Sequence, residues 1–245
     1  MTGAPLLRCD ALVIGHGGRG ILPPIDLSIQ RGQFWAVIGR NGSGKTTWLR
    51  TVLGLAEPIR GSVRRTPGLR LSYLPQRNTL DELHPLLVRE VVALGAERDW
   101  SFLGFRRQAS AEHVRHALSE MGVLELAERP FRQLSEGQKQ RVLFARVAAS
   151  NAELAILDEP TSAMDVIAER EAFGLLDNLR RRQNLAIVVV SHYLGLARSV
   201  ADRALLLDRD APAVIVGTCD EVFVSQVFTD RYASDLSSDR HVISG

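Results

Sequence analysis

Gly39-Arg40-Asn41-Gly42-Ser43-Gly44-Lys45-Thr46 is the stretch on which the reading of this chain turns. It fits G-x-x-x-x-G-K-[ST], a loop that wraps phosphate groups. An apolar run, Phe34-Trp35-Ala36-Val37-Ile38, precedes it and reads as a buried strand. After it, Trp48, Leu49, Val52 and Leu53 recur at helical spacing. Strand, loop and helix in that order are the context the motif needs. Glycines let the backbone curl so that successive N–H groups point inward at an anion. The helix N-terminus adds partial positive charge. The candidate nucleotide contacts are therefore Gly39, Asn41, Gly42, Ser43, Gly44, Lys45, Thr46 and Thr47. Lys45 is placed to reach the β- and γ-phosphates, and the Thr46 hydroxyl to reach Mg²⁺. The competing reading is a plain glycine-rich turn. Against it, Lys45 is one of only two lysines, Lys45 and Lys139, in a chain whose other basic residues are arginines. A compact, flexible point charge suits a phosphate better than a surface turn.

The 245 residues suffice for one large α/β domain, or a core with a smaller lobe. Hydrophobic content of 45% and charged content of 24% fit a globular protein rather than a disordered one. A net charge of +2 gives no reason to place nucleic acid among the partners. Cys9 and Cys219 make neither a disulfide framework nor a metal motif, and read as reduced thiols of a cytosolic protein. The first residues show no signal-peptide pattern, and no apolar run approaches the length of a membrane span. A connection to a membrane must then come through a partner.

Residues 6–14 and 25–29 read as strands, the second alternating Ile25, Leu27, Ile29 against Asp26, Ser28, Gln30. Residues 15–20 read as a turn or loop. Residues 61–74 read as a strand pair around Pro67-Gly68, antiparallel because the connection is short. From about residue 80 to 150 the texture turns helical, with helices expected over 88–96, 110–122 and from Ser135 onward. Val114, Leu118 and Met121 share one face of the second. Residues 100–108 read as a loop. The βα rhythm then returns. Strands are expected at 154–157, 185–190, 204–207 and 213–216, with helices at 166–182 and 193–200 between them. This pattern predicts a mainly parallel sheet with right-handed crossovers.

Two further places carry chemistry. The strand at 154–157 runs into Asp158-Glu159-Pro160. Adjacent carboxylates at the end of a buried strand are costly unless they have work. Asp158 is placed to hold Mg²⁺ and Glu159 to polarise an attacking water, whereas the bland reading is an acidic helix cap. Ser135-Glu136-Gly137-Gln138 is a capping box opening the helix beyond it, which is a sufficient structural reason for it. A serine hydroxyl and a glycine N–H at a helix N-terminus also make an anion site.

With these in hand the chain resembles the ATP-binding subunit of an ABC transporter. Gly39–Thr46 matches the family's Walker A, residues 156–159 its Walker B with the following glutamate, and residues 134–138 its signature. Gln76 matches the Q-loop glutamine, residues 162–165 the D-loop, and His192 the switch histidine. All appear in the family's order. The resemblance implies an α/β fold with a P-loop NTPase (RecA-like) core, an antiparallel β subdomain and an inserted helical subdomain. It divides the chain into a core (1–79 and 151–228), a helical lobe carrying the signature (80–150) and a tail (229–245). It implies Mg²⁺-dependent hydrolysis of ATP in a head-to-tail pair of ATPase subunits, a homodimer being the expected form. Each ATP would lie between one subunit's Walker A and Ser135, Gly137 and Gln138 of the other. Glu159 would be the general base, and Gln76 would sense the γ-phosphate and touch the metal with Thr46 and Asp158. His192 would bond the γ-phosphate, and Asp165 would cross the interface.

Two departures from the family stand out. Glu136 replaces the commoner glycine of the signature, where it either weakens phosphate attraction or favours the helix's first turn. His16 stands where a tyrosine often stacks on adenine; a histidine can stack with less area, and a plain loop histidine is nearly as good a reading. His84, His113, His116 and His241 are assigned to surfaces, and no metal site is read from them. Residues 76–91 and 100–107 are expected to dock transmembrane permease subunits, with the protein peripheral on the cytoplasmic face of the inner membrane. The segment before the signature lacks the acidic, glycine-containing insert of fused exporters. Residues 88–95 are similar to the importer branch serving metal ions, siderophores or cobalamin, which would add a substrate-binding protein as partner. The alternatives are an exporter ATPase or an ABC-type ATPase acting on nucleic acid or the ribosome. A P-loop GTPase is disfavoured, since no Asn-Lys-x-Asp motif occurs.

Overall fold

In the computed structural model, residues 4–76, 86–96, 111–162, 164–191 and 199–232 are described. The phosphate-loop strand lies deep in the molecule. β5 (Phe34–Ile38) is buried along its whole length. So are β9 (Ala186–Ser191) and all but the last residue of β8 (Leu154–Asp158). Strands covered on both faces read as continuous apolar runs rather than alternating ones. They belong to a six-stranded sheet that also holds β7 (Leu71–Leu74), β10 (Arg203–Asp208) and β11 (Ala213–Thr218), in the order β11-β10-β5-β9-β8-β7. Only the β10–β11 pair is antiparallel.

Side chains of successive strand residues point to opposite faces, so this sheet separates two cores. On one face Trp35, Val37, Ile156, Val188 and Leu205 pack with Trp48, Leu49 and Val52 of α1 (Lys45–Val52). On the other, Phe34, Ala36, Leu157, Ile187 and Val189 pack with helices. Those are α2 (Val88–Ala96), α3 (Ala111–Glu120), α4 (Glu136–Ala149) and α5 (Val166–Gln183). Phe34 and Phe173 of α5 meet there with centroids 6.2 Å apart. Each large side chain so buried contributes roughly 1.5–3 kcal/mol by leaving water. Val114, Leu118 and Met121 are all buried, as their shared face predicts.

A second sheet covers the α1 side. β1 (Leu7–Val13) sits between β4 (Ile25–Ile29) and β6 (Arg60–Arg65), antiparallel to both. β1 is bulged: Ala11 has φ 43° and its N–H donates to Asp26 Oδ1 at 2.7 Å. Residues 15–20, expected as a turn or loop, form a turn at 17–18 closed by a small hairpin of β2 (Gly15–His16) and β3 (Arg19–Gly20).

The strand pair expected across Pro67-Gly68 is corrected. β6 and β7 are close in sequence but lie in different sheets, β6 on β1 and β7 parallel to β8. The short connection turns the chain between layers instead of folding it back on itself. Residues 77–85, 97–110 and 192–198 lie outside the described residues. With them go His84, most of the expected docking surface and helix 193–200, and His192; Ala163, His241 and the end of the chain beyond Tyr232 are also outside. His113 is not on the open surface, because its Nε2 lies 2.9 Å from the Ala149 carbonyl in a half-buried position. Cys9 and Cys219 are buried and belong to no disulfide. No described helix is long and apolar enough to cross a membrane.

Candidate functional site

The parallel strands all end at one edge, and there the loop residues converge. Ile38 is paired with Leu206 of β10 and Ser191 of β9, so residues just beyond them crowd together. Gly39 follows at φ 150°, and a Cβ there would lie 2.3 Å from the Leu207 carbonyl oxygen. Only glycine fits that backbone. Gly44, at φ 108°, precedes α1 and offers no side-chain cap, which leaves the first N–H groups of the helix for another acceptor. Ser43 is buried, and its hydroxyl has no partner among the described residues. A buried, unsatisfied donor beside an uncapped helix start fits an anion in the loop.

Lys45 is 6% exposed, and its ammonium donates to the carbonyls of Gly39 at 2.6 Å and Arg40 at 3.0 Å. Burial pulls its pKa down, and the carboxylates of Glu159 and Asp158 oppose that pull. Asp158 shows the converse. Burial raises its pKa, Glu159 raises it further, and Lys45 lowers it. Two adjacent carboxylates facing one buried ammonium, with the Thr46 hydroxyl nearby, form an oxygen-rich set suited to a hard divalent cation.

Glu159 sits at φ 46°, a left-handed conformation uncommon for its type, held by its N–H donating to the Val190 carbonyl at 2.8 Å. Gln76, just past β7, donates from Nε2 to Glu159 Oε2 at 2.6 Å. Phosphate loop, carboxylate pair and glutamine therefore meet although far apart in sequence. They line one cleft of about 360 Å³ with His16, Ile21 and Arg209. His16 Nε2 lies 3.1 Å from Thr47 Oγ1, at the far end of the phosphate loop. That contact puts it on the cleft rim.

Ser135, Gly137 and Gln138 are not among the residues lining this cleft. They open α4, where Ser135 Oγ accepts from the Gln138 N–H at 3.3 Å and Gln138 Oε1 accepts from the Ser135 N–H at 3.1 Å. The capping box is complete. The charge of Glu136 is partly offset by Lys139, 3.1 Å away. Asp165 caps α5, accepting from the Ala168 N–H at 2.8 Å. Arg209 was not anticipated from sequence. Its signal was present: Asp208-Arg209 follows a buried strand just as Asp158-Glu159 does.

Known proteins resemble this chain in sequence and in fold. The family profile described as ABC transporter matches residues 22–162. The zinc import ATP-binding protein ZnuC of Pseudomonas putida is 38% identical over 204 residues, 83% of this chain and 75% of that one. Its counterpart in Pseudomonas aeruginosa is 35% identical over 235 residues, 95% and 82% respectively. Among solved structures, an inward-facing transporter described as of the metal-chelate ABC type has a TM-score of 0.80 at 27% identity, covering 92% of this chain and 87% of that one. cbiO1 of Clostridium perfringens, part of the ABC transporter complex cbiONQ, has a TM-score of 0.79 at 23% identity, covering 99% and 100%, and speaks for the fold alone.

Proposed function

The chain belongs to the ABC transporter family as an ATP-binding subunit that hydrolyses ATP to drive transport, and from that premise we propose that it powers import of a divalent metal ion, zinc. The observation that carries the catalytic half is the convergence of Lys45, Asp158, Glu159 and Gln76 on one cleft, with Gln76 bonded to Glu159. The cargo rests on relatives named zinc import ATP-binding proteins that align with most of the chain.

ATP lies with its phosphates in the loop of residues 39–46, where backbone N–H groups, the Ser43 hydroxyl and Lys45 receive them. Glu159 holds the proton taken from the attacking water. The Gln76 amide, now donating to Oε2, orients that carboxylate and exchanges partners when nucleotide arrives. Thr46 and Asp158, with Gln76 beside them, would hold Mg²⁺, which would supply charge neutralisation at the phosphate oxygens. His16 stacks on the base at the Thr47 end. By the family's motif order, His192 is assigned to the γ-phosphate and Asp165 to the subunit interface.

The second half of the site comes from a second copy of the chain. Ser135, Gly137 and Gln138 stand at a helix N-terminus outside the first cleft, which supports closure of two copies around two ATP molecules. Subunits of this family work with membrane permeases. Here the partners are permease subunits at the cytoplasmic face of the membrane and a substrate-binding protein.

The test is uptake of radioactive zinc by cells grown in zinc-poor medium. Deleting the gene abolishes uptake, and returning the wild-type gene, but not Lys45→Ala, restores it. Unchanged zinc uptake in the deletion strain overturns the cargo. A Lys45→Ala protein that binds ATP normally overturns the site.

A further inference from the structure

The cleft holds one charged group that the catalytic scheme does not use. Lys45, Asp158, Glu159 and Arg209 are the lysine, aspartate, glutamate and arginine residues lining it. The Lys45 charge is answered by the two carboxylates and two carbonyls. Arg209 is exposed and makes no hydrogen bond or ion pair among the described residues. The lining thus presents one uncommitted cation to a ligand that arrives with several negative charges.

The backbone beneath Arg209 is fixed with unusual thoroughness. Asp208, 2% exposed, closes the turn by accepting at Oδ1 from the N–H groups of Asp210 at 3.0 Å and Ala211 at 3.2 Å. Its Oδ2 meets Arg231 Nε at 2.6 Å and the Tyr232 hydroxyl at 3.3 Å. The residue before it, Leu207, has its carbonyl against Gly39. From the phosphate loop itself, Arg40 donates to the Arg231 carbonyl at 3.1 Å, and its guanidinium lies 5.5 Å from the centroid of the Tyr232 ring. Loop and turn are therefore joined directly and through residues 231 and 232. They hold the base of the Arg209 side chain at a set distance from the phosphate loop.

On the reading of this cleft as the ATP site, we propose that Arg209 is a nucleotide-binding residue, its guanidinium pairing with the phosphate chain as a second fixed cation beside Lys45. A planar fork pairs with two phosphate oxygens at once, which a lysine does not do. The ligand class is a nucleoside di- or triphosphate. Adenosine, lacking phosphate, gains nothing from Arg209.

The experiment is equilibrium titration of the purified full chain with MgATP and with adenosine, for wild type, Arg209→Ala, Arg209→Lys and Lys45→Ala. Arg209→Ala is expected to raise the Kd for MgATP about tenfold, equivalent to about 1.4 kcal/mol. Arg209→Lys is expected to fall between the two. The adenosine Kd and the melting temperature without nucleotide stay at wild-type values, since Arg209 is exposed and makes no hydrogen bond or ion pair among the described residues. The tenfold difference narrows at high salt. MgATP binding by Arg209→Ala within twofold of wild type, with Lys45→Ala impaired, overturns the assignment while leaving the site intact. So does a loss that adenosine shares in full, which marks a distorted cleft. If Lys45→Ala binds MgATP normally, the nucleotide site itself is misplaced.

Discussion

Gly39→Ala is the sharpest perturbation of the phosphate loop that the structure offers. Gly39 has φ 150°, and an added Cβ would stand 2.3 Å from the Leu207 carbonyl oxygen and 2.5 Å from Ser43 Oγ. Contacts that short are not tolerated, and the nearest is to backbone that cannot rotate away. The backbone conformation costs an alanine about 1–3 kcal/mol. Overpacking adds about 1–3 kcal/mol more. The sum, roughly 2–6 kcal/mol, is relieved only by moving the loop from β10 or by losing stability. Gly42→Ala is the matched control. It too has a positive φ, 80°, but an added Cβ meets nothing within 4 Å, leaving about 1–2 kcal/mol of strain. Thermal melts without nucleotide read both. At about 2–4 °C per kcal/mol for a chain of this size, Gly39→Ala is expected to melt some 4–24 °C below wild type and Gly42→Ala only about 2–8 °C below. MgATP titration of the folded Gly39→Ala protein should show at least tenfold weaker binding. A Gly39→Ala protein that melts no lower than Gly42→Ala and binds MgATP as wild type refutes the reasoning that packing against Leu207 sets the loop.

Glu159→Gln should retain MgATP binding while its turnover falls by about 10²–10⁴, the range for a lost general base; steady-state phosphate release beside a binding titration checks both. Ser135→Arg should leave MgATP affinity of a single chain within a few-fold of wild type yet block ATP-driven association, seen by light scattering at rising protein concentration. Ser135→Ala additionally loses the cap of α4, about 1 kcal/mol, as a small drop in melting temperature. Asp158→Asn should stabilise the nucleotide-free protein at neutral pH while abolishing Mg²⁺-dependent turnover. Burial raises the folded-state pKa of Asp158, so the folded chain binds more protons than the unfolded one. Stability is lost as pH rises from about 3.9 through that raised value. The stabilisation by asparagine should therefore shrink to nothing in melts run below about pH 4.

The strands around the phosphate loop were legible because burial on both faces removes polar residues from them, leaving runs such as Phe34–Ile38 and Ala186–Val190. The α4 cap was legible because Ser135 and Gln138 act within four residues of each other. What failed was information held between distant segments. Residues 60–74 look like a hairpin, and nothing local says that β7 completes the large sheet beside β8. In α5 the buried face of Ala172, Leu176 and Leu179 follows helical spacing and can be read from the sequence. The same face also buries Glu169, a residue 2% exposed whose carboxylate accepts from the Thr161 hydroxyl at 2.8 Å. A glutamate in a helix reads as solvent-facing until its partner is seen. Arg209 had a local signal in the buried strand before it, but the loop it faces, after β5, lies some 170 residues earlier.

The scarcity of lysine has a practical consequence for labelling chemistry. Besides the terminal amine, an acylating reagent finds only two side-chain amines in the whole chain. Lys139 is held by Glu136 with 17% of its side chain exposed, and Lys45 is nearly sealed beneath the phosphate loop. The order of modification, Lys139 before Lys45, reads out the starts of α4 and α1 separately. Mass spectrometry of a tryptic digest would then follow loop opening and subunit closure in one sample, with no engineered probe.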